Sequence, residues 1–499
     1  MTSLPRVERT LRNARLRRSG SPANARPGRA LALGFALALL PSVLSGASVR
    51  DFGAIGDGVA DDTAAIKAAV AGAKDGLLIF PRGNYRITST IEVQLTERGF
   101  TSLNGQNGTG RVTMAGPGPA FRFVGTHNGS AGPTTFKPHV WEKERMPQID
   151  GIEIVGGHAD ADGLEFIRCM QPTVRSVLIR EVRHGIRIAE RNRNVLITAS
   201  HIYNNRGVGI YFDRVDLHQT IIQGNHISYN KRGGIRIDGG SIRNFHVTGN
   251  DIEYNYDLNA PESADIWFDL RKGSVAEGTI ASNTIQAVVS PGGANIRFIG
   301  PGRPEQQGLM GLWSITGNLI GNQEVNIHLV HARGITIAGN HIYTGKNRNI
   351  VIEESRHIVL SGNSLDQSHN YRGAHTNGIT LRDSDGISIQ GLVLDRAGGG
   401  DATAGGAIEV LNCRETLLTG CQVFEPQVRG IYVAGSRNTT ITNSQVLERT
   451  ASGTMLSAIH VTNDSRGVLV ESNLLSRGRD GDLIAPPGSS TRGNQAAVR

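Results

Sequence analysis

One short pattern recurs along most of this chain and limits what it can become: a small residue, an asparagine, any residue, then an aliphatic one. The clear copies are Gly224-Asn225-His226-Ile227, Gly249-Asn250-Asp251-Ile252, Ser282-Asn283-Thr284-Ile285, Gly317-Asn318-Leu319-Ile320, Gly339-Asn340-His341-Ile342 and Gly362-Asn363-Ser364-Leu365. Weaker copies at Ile154, Ile179, Ile202, Leu394, Val423, Val446 and Leu475 bring the total to thirteen anchors, 22 to 35 residues apart. A second element of the form Gly-Ile-x-Ile follows most anchors, as at 185–188, 209–212, 234–237, 378–381 and 430–433. Both elements read as short strands, with β-branched residues alternating and glycine at the edges. No helical stretch separates the copies, which excludes α/β repeats and TIM barrels. A propeller blade needs about 40 residues and four antiparallel strands, so it fits badly. Short strands and tight turns at this period describe one coil of a parallel β-helix, each strand pairing with its equivalent one coil on, ~4.8 Å away. The recurrent asparagines would then stack as a ladder of side-chain amides.

Both ends of the chain differ from the repeats. Residues 1–47 place eight arginines (Arg6, Arg9, Arg12, Arg15, Arg17, Arg18, Arg26, Arg29) before an apolar run at 30–40, then Ser45-Gly46-Ala47. That order reads as a secretory signal peptide, with a twin-arginine leader or an uncleaved anchor as alternatives. The net charge of +8 belongs mostly to this leader, because residues 48–499 carry 44 basic and 43 acidic residues. Global basicity therefore does not argue for nucleic acid or membrane as a partner. The expectation is a secreted or periplasmic protein, with no membrane contact after cleavage. Three cysteines cannot staple a disulfide scaffold. Buried thiols are the simpler reading, with a Cys413–Cys421 bond as the alternative and Cys169 left over.

After the leader, Asp51-Phe52-Gly53-Ala54-Ile55-Gly56-Asp57-Gly58 runs through Asp61-Asp62-Thr63 into a helical stretch at 64–73 with an aspartate N-cap and Gly76 beyond its end. Phe80-Pro81-Arg82-Gly83-Asn84-Tyr85 follows. A helix here would cover the first coil's core, as solenoid ends require. These two runs resemble the N-terminal signature of the pectate-lyase-like superfamily, which includes rhamnogalacturonases and polygalacturonases. The resemblance covers 49–87 and implies a right-handed parallel β-helix; with the thirteen anchors and the helix at 64–73, the expectation is an all-β, single-stranded solenoid of about 13 coils with a capping helix. It also implies a carbohydrate ligand, without fixing the reaction. The expected layout is a leader at 1–47, the cap and first coils at 48–125 and a loop insertion at 126–148. Coils follow at 149–480 and a flexible tail at 481–499.

In a strand written Gly-Ile-x-Ile-y the isoleucines face inward, while x and y face out. Along consecutive coils x reads Arg187, Tyr211, Arg236, Trp267, Arg297 and His328, then turns blander at Val351, Thr380 and Glu409. On three coils y reads Asp213, Asp238 and Asp269. Aromatic rings stack on sugar faces and arginine forks bind carboxylates or sulfates. Clustered aspartates repel one another, which would raise some pKa values and leave one as a general acid. A strand-ending turn or a calcium site is the alternative use of this column. Tyr229 and Tyr254 mark a second polar edge just past the anchors, beside Asn205, Asn230 and Asn255, which read as turn residues with internal hydrogen bonds. Longer spacings at 256–264 and 367–377 would wall a groove on this side.

These residues point to a secreted enzyme that cleaves glycosidic bonds of an acidic or substituted glycan. Asp213, Asp238 and Asp269 would be catalytic. Arg187, Tyr211, Arg236, Trp267, Arg297, His328, Tyr229 and Tyr254 would bind substrate. Glycoside hydrolysis is the first expectation, without a cofactor. A polysaccharide lyase with arginine or histidine as base, and possible calcium, is the second. A non-catalytic glycan binder is the third. Polygalacturonase and mannuronan-epimerase motifs are missing from the sequence.

Overall fold

The computed structural model describes residues 46–498 except 130, 131, 372, 374 and 451. The leader expectation falls almost wholly on residues 1–45, outside the described residues. The rest is a right-handed parallel β-solenoid of about 16 turns, more than the thirteen anchors suggested. The surplus lies at both ends. Asp57–Asp61, Gly83–Ile87 and Gly110–Met114 continue the anchor ladder upstream, where glycine, as at Gly83 and Gly110, stands in the place of the ladder asparagine. The segment expected as a tail carries Leu483–Ile484 and Gln495–Ala496, which pair onto the preceding coil and continue the solenoid.

Each coil visits three ladders in turn. The front ladder holds the Gly-Ile-x-Ile strands, the side ladder follows it, and the anchor ladder holds the asparagine motif. Isoleucines at the first inward front position stack in register as Ile210, Ile235, Ile266, Ile296, Ile327 and Ile350, all fully buried. Phe212, Phe245, Phe268, Phe298 and Trp313 form a continuous aromatic stack behind them, with ring centroids 4.7–5.7 Å apart along the chain of contacts. Edge-to-face ring contacts of this kind add to the area already buried.

The asparagine ladder forms as expected. In each step the amide Nδ2 donates to the next asparagine's Oδ1, and the next Oδ1 also accepts the backbone N–H: Asn225 to Asn250, Asn250 to Asn283, Asn283 to Asn318, Asn318 to Asn340 and Asn340 to Asn363. Every Nδ2 also reaches a backbone carbonyl of the coil behind, as Asn250 does to Ile222. The small residue before each asparagine has positive φ: Gly224 at 65°, Gly249 at 63°, Ser282 at 56° and Gly317 at 62°. Glycine takes this left-handed turn without strain, which is why it dominates the position.

At one end Thr63–Gly72 forms the capping helix, burying Ile66 and Ala69. An aspartate stands at the N-cap position as expected, but Asp62 makes no side-chain cap hydrogen bond. Its carboxylate instead accepts the backbone N–H groups of Ile55 and Gly56, at 2.7 and 3.1 Å, and pins the preceding loop. Asp61 takes the cap, accepting from the Thr63 N–H at 3.0 Å.

Four successive strands are unusually long. Ile186–Thr198, Ile210–Gln223, Ile235–Thr248 and Ser263–Ala281 each run from the front ladder into the side ladder without a break in strand structure. They carry most of the expected site.

Candidate functional site

The front ladder's register is the one the sequence implied. Arg187, Tyr211, Arg236, Trp267, Arg297 and His328 stand opposite one another on successive coils. Asp213, Asp238 and Asp269 form the neighbouring column. The column starts earlier than the sequence reading had it. Arg122 and Glu165 precede Arg187 in the same register, and 163–166 is a degenerate Gly-Ile-x-Ile.

The charges neutralise each other in sequence along the axis. Arg122 pairs with Glu165, and Glu165 with Arg187. Arg187 also pairs with Asp213, which Arg214 engages at 2.8 Å. Arg236 meets Asp238 at 2.8 Å, and Arg271 pairs with Asp269. The expected mutual repulsion of the aspartates is therefore outweighed. Burial pushes the Asp213 carboxyl up, but the guanidiniums of Arg214 and Arg187 hold it below its ordinary value. For Asp269, burial is likewise overridden by Arg271. Both are ionised near neutrality, and neither is the protonated acid that repulsion would have produced.

Trp267 does not offer a stacking face. It is 4% exposed, between the guanidiniums of Arg236 and Arg297, 4.2 and 5.3 Å from its ring centre. Two cations over one indole make a stable sandwich and leave no face for a sugar. Arg297 is 5% exposed, donating to the Gly292 carbonyl at 2.6 Å and facing Glu262 at 3.4 Å. His328 lies 2.9 Å from Glu353. Trp267 and Arg297 are thus buried, while His328 keeps part of its side chain exposed beside Glu353.

Tyr211 is hydrogen-bonded to the aspartate column. Its hydroxyl donates to Asp238 Oδ2 at 3.0 Å. Burial, with the charges of Asp238 and Asp213, pushes its pKa well up and keeps the phenol protonated. The His184 ring stacks on it at 4.9 Å, and burial lowers the pKa of that imidazole so that it stays neutral. Beside this pair lies a depression of about 580 Å³, lined by Arg214, Arg236, Asp238, Asp269, Arg271 and Lys272, with Gly239 and Gly240 between them. Arg214, Arg271 and Lys272 were not singled out in the sequence. They sit inside the long strands, just beyond the Gly-Ile-x-Ile motif, and no repeat marks them.

The second edge is partly as expected. Asn205, Asn230, Asn255 are buried and linked through their amides, an internal ladder as read. It ends on Asp265, whose Oδ1 accepts from Asn255 and whose Oδ2 accepts from Asn295, both at 3.0 Å. Tyr229 is 53% exposed and stacks on Tyr254 at 5.4 Å. Tyr254 is engaged by Gln286, which also donates to Tyr371 in the 367–377 loop. That loop therefore docks on the corner between the anchor and front ladders.

All three cysteines are buried free thiols, so the simpler reading holds. Among the described residues no group of three or more His, Cys, Asp or Glu is arranged to hold a metal ion.

Three family models match successive parts of the chain. Residues 46–118 match "Rhamnogalacturonase A/epimerase, pectate lyase-like" and residues 143–285 match "Right handed beta helix region". Residues 313–444 match "Periplasmic copper-binding protein (NosD)". Among its described residues that last stretch brings no three His, Cys, Asp or Glu together to hold copper. Cys413 and Cys421 donate to the carbonyls of Leu411 and Ile389, at 3.3 and 3.7 Å, and burial raises both thiol pKa values. Mannuronan C5-epimerase AlgE1 of Azotobacter vinelandii is 50% identical over 48 residues, 9% of this chain and 3% of the epimerase. Among solved structures, the A-module of mannuronan C-5 epimerase AlgE4 from the same organism is 14% identical, with 91% of this chain and 97% of the module covered and a TM-score of 0.40. The tailspike protein gp49 of Pseudomonas phage LKA1 is 15% identical, covering 90% and 83%, with a TM-score of 0.47.

Proposed function

We propose that the front face of this chain, a right-handed parallel β-helix that matches pectate-lyase-like and right-handed β-helix family models over residues 46–118 and 143–285, acts on an acidic polysaccharide by proton transfer beside a uronate carboxylate. The observation that carries this reading is the Tyr211–Asp238 hydrogen bond at the rim of a cation-rich depression. Arg214, Arg271 and Lys272 would bind the uronate carboxylate, and neutralising it acidifies the adjacent C–H. Asp238 takes that proton while Tyr211 gives its own to the leaving glycosidic oxygen. The C–O bond breaks, a ring double bond forms, and the proton on Asp238 returns to Tyr211 along their hydrogen bond. The pair ends as it began, without an added oxidant or reductant. Asp213 and Asp269, held ionised by their arginines, set the field rather than deliver protons. No step is routed through calcium, since each aspartate already has a guanidinium partner.

Hydrolysis is the second reading. Asp213 and Asp238 stand one coil apart, ~4.8 Å, close to the ~5–5.5 Å of retaining glycosidases. Digestion of a panel of acidic polysaccharides separates the two: unsaturated products absorbing in the ultraviolet support elimination, and saturated sugars support hydrolysis. Tyr211→Phe is expected to lower turnover about 10²–10⁴-fold with glycan affinity unchanged, the usual worth of one acid/base group. Full cleavage by Asp238→Asn would remove the assignment.

A further inference from the structure

A second cleft of about 530 Å³ lies away from the Tyr211–Asp238 pair, where later coils turn from the front ladder to the side ladder. Its walls include Arg356, Arg414, Arg437, Asp383, Asp385 and Asn412. The arginines belong to a longer column. Arg333, Arg356, Asp385, Arg414, Arg437 and Arg466 occupy the same place on six successive coils, joined by parallel bridges between Arg333 and Arg356, Arg356 and Asp385, Asp385 and Arg414, and Arg437 and Arg466, with Arg414 opposite Arg437. Five of six positions are arginine, one coil step of ~4.8 Å apart. Like charges stacked directly opposite in a sheet oppose each other, and an anion lying along the column would relieve that repulsion. Asp385 answers Arg414 at 3.5 Å, while Arg333, Arg356 and Arg437 have no ion-pair partner among the described residues. Glu354, two residues before Arg356 in the lining, faces His331 at 3.6 Å.

We propose that this cleft is a second glycan-binding site, holding a carboxylated polysaccharide apart from the reacting face. The mixture of groups identifies the ligand class. Arginine forks take carboxylates bidentately, and Asp383, Asp385 and Asn412 accept the hydroxyls that a sugar ring supplies. A polyphosphate backbone has no hydroxyl to offer those carboxylates and would be repelled by them. The lining also has no aromatic ring, whereas single-stranded nucleic acid sites stack bases on aromatics. Cys413 at the base of the cleft is inert, its thiol pushed up to about 11 by burial. The cleft starts three coils past Asp269, since Asp269, Ile299, Val330 and Glu353 follow in register. That separates the two places by ~14 Å along the axis. A polymer would be held at one while another stretch of it occupies the other. The ligand class rests on the proposed function, but the site itself does not.

The test is affinity electrophoresis of the full chain through gels containing polygalacturonate, neutral dextran or single-stranded DNA. The wild-type protein is expected to be retarded by polygalacturonate and not by dextran. The double variant Arg356→Ala/Arg437→Ala, with its unfolding midpoint confirmed, should bind at least about tenfold more weakly, having lost two charge-assisted forks. Its turnover of short oligouronides should match wild type. Equal retardation of wild type and variant overturns the inference, as does no retardation of the wild type or stronger retention by DNA. If the wild type cleaves nothing but the variant still loses retention, the proposed function falls and this site stands.

Discussion

At the scale of single residues, the front face shows how a neighbour decides what a carboxylate does. Asp213, Asp238 and Asp269 differ little in sequence context, and each has taken an arginine. Asp265, two residues before Trp267, has none. It is fully buried and is satisfied only by the amides of Asn255 and Asn295 and the Asn255 backbone N–H. Burial pushes its pKa up to about 8 against those hydrogen bonds. The folded protein then holds a proton there that the unfolded chain releases near pH 4. Between about pH 4 and 8 the folded state binds the extra proton, so stability falls as pH rises, by at most about 1.4 kcal/mol per unit. Urea midpoints at pH 5 and pH 8 should differ for the wild type. Asp265→Asn, which continues the ladder with a neutral amide, should flatten that difference. An unchanged slope would assign the titration elsewhere.

At the scale of elements, the asparagine ladder concentrates its cost in the middle. Asn250→Ala would take the side-chain partner from the Asn225 N–H and the Ile222 carbonyl, and leave Asn225 Nδ2 and Asn283 Oδ1 with one partner each in place of two. Each orphaned buried group costs ~1–3 kcal/mol, so a loss of about 3 kcal/mol or more is expected in equilibrium unfolding. Asn473, whose ladder contact is to part-buried Asn494 near the end, should tolerate the same change better. The ladder was legible because the same chemistry repeats at every step. The front ladder was legible for another reason: alternation fixes which side chains face out, so the register of Arg187 through His328 followed once the strands were found. The corner between the front and side ladders was not. Asn194, Gln219, Asn244, Glu277, Leu312, Gly334 and His357 all take positive φ there, from 51° to 67°. The backbone repeats while the residues do not, so no pattern in the sequence announces it. The cations bordering the depression, Arg214, Arg271 and Lys272, lie near this irregular stretch and were missed for the same reason. The burial of Trp267 was also invisible, because an outward position in a strand does not reveal that two arginines will close over the ring.

At the scale of the whole molecule, a solenoid's stability is close to a sum over neighbouring coils, and its ends need covering. Residues 481–498 do that work at one end, where strand pairs at Leu483–Ile484 and Gln495–Ala496 lie over the last coil. Truncation after Asp480 is expected to uncover Val470 and Leu475, both essentially buried. The shortened protein should show a lower thermal midpoint and concentration-dependent aggregation by light scattering. Retention of the wild-type midpoint would mean that the coil at Leu474–Leu475 caps itself.

The four long strands from Ile186 to Ala281 bear on how any ligand reaches this site. Where front and side ladders are joined by continuous strand, the wall beneath Tyr211 and Asp238 has no loop at which to fold. Such a wall behaves as a rail, not a jaw. On the proposed function, a polymer would reach the Tyr211–Asp238 pair by sliding along the coils or settling from above, and would leave by the same open side.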